Sequence, residues 1–186
     1  MNVYDFDGTI YKKDSSVELY KFVIKRKPYL LLCCLPKQVL ALVKYKLRLI
    51  SKEKMKESYF SFLNYVKSNK MIDMFVEKEM KNINQWYYDR QDISDVIISA
   101  SPLFLIERFA NNLGVQNVLA TEIDIRTGKF LSKNCYGEEK VKRFYVQFPK
   151  GNIDEFYSDS KSDLPLASIA KSPFWVKGDN ICKWKL

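Results

Sequence analysis

The opening segment, Asn2-Val3-Tyr4-Asp5-Phe6-Asp7-Gly8-Thr9, constrains this chain more than any other stretch. Two carboxylates stand two residues apart where a short apolar run breaks into a Gly-Thr turn. Residues i and i+2 of an extended chain face the same side, so Asp5 and Asp7 are aimed at one spot. Carboxylates pressed together repel and hold their protons unless a cation or a reaction uses them. A plain turn would also accept Asp and Gly, so the rest of the sequence has to decide.

Two further apolar runs end in the same way. Val96-Ile97-Ile98 stops at Ser99, and the run from Ile153 to Tyr157 stops at Ser158-Asp159. Helical patterns follow both, over Pro102 to Asn111 and over Leu164 to Lys171. Strand followed by helix, repeated, predicts an α/β fold with a Rossmann-like parallel sheet. Such sheets place ligands at the carboxyl ends of their strands, so three polar strand ends predict one site. Thr121 to Leu131 reads as a β-hairpin at a sheet edge, with no chemistry attached.

Between the first two strands the character changes. Val17, Tyr20 and Ile24 recur at helical spacing behind a Ser15-x-x-Glu18 capping-box pattern. Met55, Tyr59, Phe62 and Val66 do the same, as do Ile72, Phe75, Val76 and Met80. This predicts an all-helical insertion of roughly four helices, broken near Pro28, Pro36, Ser51 and Lys67-Ser68-Asn69. The division is a core of residues 1–12 and 91–186 with a helical cap at 13–90.

The charge follows the same boundary. Residues 11–90 hold 18 Lys/Arg against 8 Asp/Glu, and the remainder 13 against 14, so the net +9 belongs to the insertion. Basic surface beside apolar helix suits an anionic partner: a phosphorylated substrate, a membrane surface or nucleic acid. The chain has no histidine, which removes His-based acid–base catalysis, the usual zinc hydrolase sites and His-activated nucleophiles. Its four cysteines, Cys33, Cys34, Cys135 and Cys182, form no CxxC pair and predict a reduced, cytoplasmic protein. The opening strand leaves no room for a signal peptide before Asp5. The longest apolar run, Tyr29 to Leu35, is too short for a membrane span.

Together these motifs resemble the haloacid dehalogenase superfamily. Asp5-x-Asp7-Gly8-Thr9 resembles its first motif, Val96-Ile97-Ile98-Ser99 its second, Lys140 in Tyr136-Gly137-Glu138-Glu139-Lys140-Val141 its third, and Ser158-Asp159-Ser160-x-x-Asp163 its acidic fourth. Lys133 and Lys142 lie nearby, and the Gly-Glu-Glu-Lys spacing before a helix favours Lys140. The resemblance implies a Mg²⁺-dependent phosphatase in which Asp5 attacks phosphorus to form an aspartyl-phosphate. Asp7 is then the general acid and base. Asp5, the backbone carbonyl of Asp7, Asp159 and Asp163, directly or through water, hold the metal. Ser99, Lys140 and Thr9 serve the phosphoryl group, Thr9 by ordering the loop. Oxygen donors without His or Cys suit Mg²⁺ on chemical grounds as well.

The position of the cap and the Ser99-Ala100-Ser101-Pro102 sequence are most similar to the phosphoserine-phosphatase-like branch. Two departures argue against phosphoserine itself: Ala100-Ser101 stands where that branch has two glycines, and Asp14 where it has a longer glutamate. Within the branch the chain is loosely similar to bacterial phosphatidylglycerophosphatases. Residues 28–50 interleave Leu30-Leu31-Leu32 and Val39 to Val43 with Lys37, Lys44, Lys46 and Arg48. If that segment is interfacial, the substrate is a phospholipid monoester and the protein touches the inner membrane face peripherally. If it is buried cap, a soluble phosphomonoester is favoured. A phosphomutase shares Asp5 and Asp7, and a basic cap binding nucleic acid or protein is the non-enzymatic alternative. No nucleic acid is expected, because the acidic set would repel it.

Overall fold

The computed structural model describes residues 1–66 and 69–185. Six strands form one sheet in the order β3-β2-β1-β4-β5-β6. They are β1 (Asn2–Tyr4), β2 (Val96–Pro102), β3 (Asn117–Thr121), β4 (Glu155–Ser158), β5 (Ser172–Lys177) and β6 (Asn180–Lys183). The first five run parallel; β6 turns back antiparallel on β5. The expected α/β, Rossmann-like parallel sheet is therefore what forms.

Alternation along the strands builds the two faces. Tyr4, Ile97 and Tyr157 enter one apolar cluster, and their neighbours Val3, Val96, Ile98 and Phe156 enter another on the opposite side. Helices α7 (Glu138–Gln147) and α8 (Leu164–Ala167) cover the second face through Phe144, Leu166 and Ala167. Helix α6 (Leu103–Leu113) covers the first face with Leu105, Ile106 and Phe109. Gly114, at φ 74°, ends it in the left-handed conformation that glycine accepts without cost.

Between β1 and β2 come α1 (Ser15–Arg26), α2 (Leu30–Lys46), α3 (Lys52–Phe60), α4 (Asn69–Glu79) and α5 (Gln85–Tyr88). Helices α1 and α4 share the sheet's own core. Phe22 packs on Phe75, and Phe75 on Phe109, with ring centroids 5.3 and 6.2 Å apart. Pro28 and Ser51 do fall at helix boundaries, Ser51 as the cap of α3. Pro36 instead lies inside α2. It is exposed, so water can satisfy the carbonyl its missing N–H leaves behind. The break expected at Lys67-Ser68 lies outside the described residues.

Several local expectations shift. The cap of α1 is Asp14, whose carboxylate accepts from Val17 N–H at 2.9 Å, not Ser15. The buried face of α1 is Leu19, Phe22 and Val23, while Val17 is exposed. Thr121 ends a parallel edge strand, and the expected hairpin follows it in short form: Leu131 N–H donates to the Glu122 carbonyl at 2.9 Å and Asp124 N–H to the Lys129 carbonyl at 2.8 Å, on either side of the Ile123–Phe130 bridge. Helix α8 stops at Ala167, preceded by a 3-10 turn over Lys161–Asp163. The pair β5–β6 carries no strand signal in the sequence, because Phe174 to Val176 shows no clean alternation.

Candidate active site

Three adjacent strands, β2, β1 and β4, deliver the polar residues to one end of the sheet. The chain crosses to opposite sides of β1 here, the place where an open α/β sheet leaves a crevice. A cavity of about 310 Å³ opens there, and Asp5, Asp7, Ser99, Lys140, Asp159 and Asp163 all line it. The structure thus brings together every predicted site residue except Thr9.

Asp5 continues β1 by donating its N–H to Tyr157 at 2.9 Å. The chain then coils tightly: Gly8 N–H meets the Tyr11 and Lys13 carbonyls at 2.8 and 3.1 Å. Gly8 sits at φ 75°, and a Cβ there would overlap the Asp159 carboxylate. Only glycine satisfies both demands. Thr9 is fully buried, and its Oγ1 accepts from Asp159 N–H at 3.1 Å. It ties the first loop to the end of β4 and does not face the cavity.

Lys140 rises from the first turn of α7, behind Gly137 at φ 58°. Its ammonium lies 2.7 Å from Asp5 Oδ1 and 2.8 Å from Asp163 Oδ2, and Ser158 Oγ donates to the same Asp163 oxygen at 2.7 Å. All three charged groups are buried. Burial works against the ammonium, but the Asp5 and Asp163 carboxylates outweigh it and hold Lys140 above its ordinary value, so it stays charged. Burial pushes the Asp5 carboxyl up, and the Lys140 cation offsets only part of that rise. Exposed Lys133 and Lys142 are not part of this cluster.

Asp7 is held differently. Its Oδ1 accepts from Ser15 N–H at 2.7 Å and its Oδ2 from Ser101 Oγ at 2.5 Å. Burial, then the charge of Asp14, push its carboxyl up to about 6, against the pull of these bonds. Ser101 is turned toward Asp7 by a register shift in β2 between Ser99 and Pro102. Its own N–H donates to Ser99 Oγ at 3.1 Å.

Two cavity residues had no signal in the sequence. Lys56 of α3 reaches in and donates to the Ala100 carbonyl at 3.2 Å and Asn134 Oδ1 at 3.0 Å; burial lowers it to about 8. Ser16 meets Ser101 at 3.1 Å between hydroxyl oxygens. Lys56 sits in a run of similar lysines, and only the packing of α3 over the crevice singles it out.

As arranged, no group of three acidic, His or Cys side chains among the described residues encloses a cation. The donor chemistry nonetheless fits Mg²⁺, which takes one or two carboxylates and fills its shell with water and substrate oxygens. Asp163 Oδ1 is buried without a partner, and the Asp159 carboxylate, pushed up by burial, lies over Gly8.

Carboxylates at the carboxyl ends of a parallel sheet, balanced by a buried lysine, define a hydrolytic α/β site. The chain matches the family model for haloacid dehalogenase-like hydrolases over residues 3–168, and it belongs to that family. The resemblance to this family and the reading as an enzyme are borne out. No curated protein sequence matches the chain. Among solved structures, a protein with unknown function from Bordetella pertussis Tohama I superposes with a TM-score of 0.70 at 19% identity, over 93% of this chain and 87% of that one. A phosphoserine phosphohydrolase-like protein from Francisella tularensis gives 0.54 at 16%, over 93% and 86%. A HAD family hydrolase from Salmonella enterica serovar Typhi gives 0.56 at 11%, over 91% and 60%. These likenesses establish the fold.

Proposed function

We propose that this hydrolase is a Mg²⁺-dependent phosphomonoesterase working through an aspartyl-phosphate on Asp5. The observation that carries the reading is the contrast between two carboxylates in one cavity. Asp5 is ion-paired with the buried Lys140 ammonium at 2.7 Å, whereas Asp7 is in no ion pair among the described residues and is held by hydrogen bonds from Ser15 N–H and Ser101 Oγ. Carboxylates whose surroundings differ in this way divide nucleophile and acid–base roles between them.

Asp5 Oδ1 is occupied by Lys140, and Oδ2 has no hydrogen-bond partner among the described residues. Oδ2 attacks phosphorus, the P–O bond to the alcohol breaks, and Asp7 gives its proton to the leaving oxygen. Asp7, now a carboxylate, takes a proton from the water that attacks the phosphorylated Asp5. Phosphate leaves and both acids return to their starting states. Lys140 balances charge on the phosphoryl oxygens together with the Ser99 hydroxyl. Asp5, Asp159, Asp163 and the Asp7 carbonyl would hold Mg²⁺, which supplies charge neutralisation between anionic nucleophile and anionic phosphate.

For the substrate we favour a phospholipid monoester such as phosphatidylglycerophosphate over soluble phosphoserine. Support comes from the basic, apolar segment 28–50 and from Asp14, which lines the cavity where a longer acid would reach an amine. Phosphate release should be compared with phosphatidylglycerophosphate in mixed micelles and with phosphoserine, with and without Mg²⁺, using Asp5→Asn as blank. Preference for the lipid is expected. Release from neither above the blank overturns the phosphatase reading, and transfer to a second hydroxyl instead of water makes the protein a mutase.

A further inference from the structure

Helix α2 buries only a narrow stripe. Leu30, Cys34 and Ala41 are buried, and Gln38 between them accepts from the Tyr20 hydroxyl at 2.8 Å and donates to the Tyr59 carbonyl at 2.9 Å. The remaining sides carry Leu32, Leu35, Val39, Leu40 and Val43 outward, and Leu47 follows at the helix end. Leu32 is 83% exposed and Leu40 55%. Single exposed leucines are ordinary on a protein surface; a helix that exposes them turn after turn marks an interaction site.

The same helix borders a second cavity of about 580 Å³, shared with α3 and the turn at residues 124–129. Lys37 and Lys44 from α2, Lys54 from α3 and Lys129 line it. Glu57 is its acid, and that carboxylate already accepts from Phe130 N–H at 3.1 Å. Among the described residues none of these lysines is in an ion pair. Helix α3 is the wall between the cavities: Lys56, Tyr59 and Phe60 line the catalytic one, Lys54 and Ser58 the other.

We propose that α2 and its lysine-lined cavity form a docking surface for an anionic lipid bilayer. The leucines enter the boundary between headgroups and acyl chains, and the lysines hold lipid phosphates. With 17 residues and lysines within it, α2 lies in the interface; among the described residues no helix is long and apolar enough to cross. Nucleic acid would satisfy the lysines and leave the leucines in water. A second copy of this chain would set like charge against like, since residues 21–56 hold 11 basic residues and one acid, Glu53. The proposal deepens the lipid-substrate reading, yet docking needs no Asp5, so the two fail separately.

The test is co-sedimentation of the whole chain with vesicles of phosphatidylcholine alone and of equal parts phosphatidylcholine and phosphatidylglycerol, at low and high salt. Binding to the anionic vesicles should be roughly tenfold tighter and should weaken with salt. Leu32→Ser/Leu40→Ser and Lys37→Gln/Lys44→Gln should each reduce it by roughly tenfold, with far-UV circular dichroism and hydrolysis of p-nitrophenyl phosphate unchanged. Equal binding to both vesicles, binding to neither, or variants that bind like the parent would overturn the proposal. So would a dimer in sedimentation equilibrium that Leu32→Ser/Leu40→Ser disperses, which assigns the face to a second copy. Vesicle binding by a chain that hydrolyses no phosphomonoester sinks the phosphatase reading and leaves the docking surface standing.

Discussion

Asp7 and Lys140 separate two kinds of contribution that single side chains make to this site. Asp7→Asn keeps the bonds from Ser15 N–H and Ser101 Oγ but cannot shuttle a proton. It should lower kcat by roughly 10²–10⁴-fold with little change in stability, measured by phosphate release and urea unfolding. Lys140→Met should both stop catalysis and destabilise the fold. It strands the Asp5 and Asp163 carboxylates without their cation in a buried pocket. Leaving a buried charge unpaired costs about 3–5 kcal/mol, which the urea midpoint should report. The positions of Asp5 and Asp7 were legible because they depend on local geometry, two residues apart on an extended chain. Lys140 was legible through the Gly-Glu-Glu-Lys spacing, which favours it over Lys133 and Lys142, but its partners were not: its ammonium lies 2.7 Å from an aspartate 135 residues away in sequence.

Secondary elements carry predictions of their own, because each has to enter or leave the sheet at a fixed place. Asp95, just before β2, is fully buried; its Oδ2 accepts from Asp92 N–H at 2.9 Å while Oδ1 has no partner. Burial raises its carboxyl from 3.8 to about 6. The folded chain then binds a proton that the unfolded chain releases, so the Asp95 contribution is greatest below pH 3.8 and is lost as pH rises through about 6. Asp95→Asn should therefore lose less stability than the parent across that interval, by about 1–3 kcal/mol in urea titrations at each pH. The turn at residues 124–129 is the second case. Gly128, at φ 71°, closes it, and a Cβ there would overlap the backbone of Phe60 at the end of α3. Gly128→Ala should cost about 1–3 kcal/mol, read from thermal unfolding, since both the turn and α3 must give way. The sequence pattern places a hairpin here; Thr121 itself pairs in parallel with β2, and the hairpin begins at Glu122.

On the scale of the whole molecule, the first loop, the end of β4 and the first turn of α7 meet as an acidic cluster with one lysine. Filling it with a cation should stabilise the fold. Mg²⁺ at about a hundred times its Kd should add about 2.7 kcal/mol by mass action, seen as a raised thermal midpoint. Asp159→Asn should abolish most of that gain, and an unchanged midpoint in the parent would count against Mg²⁺ at this site. The sheet class, the strand ends that carry Asp5, Ser99 and Asp159, and the cationic helical insertion are all written in local sequence. Those features follow from periodicity, composition and neighbouring residues. Tertiary structure alone decided that Lys56 enters the cavity, that Ser101 meets Asp7, and that α1 and α4 join the sheet's core while α2 turns its leucines outward. A pattern of apolar residues states which surfaces seek cover; only the packing of distant segments decides which of them receive it.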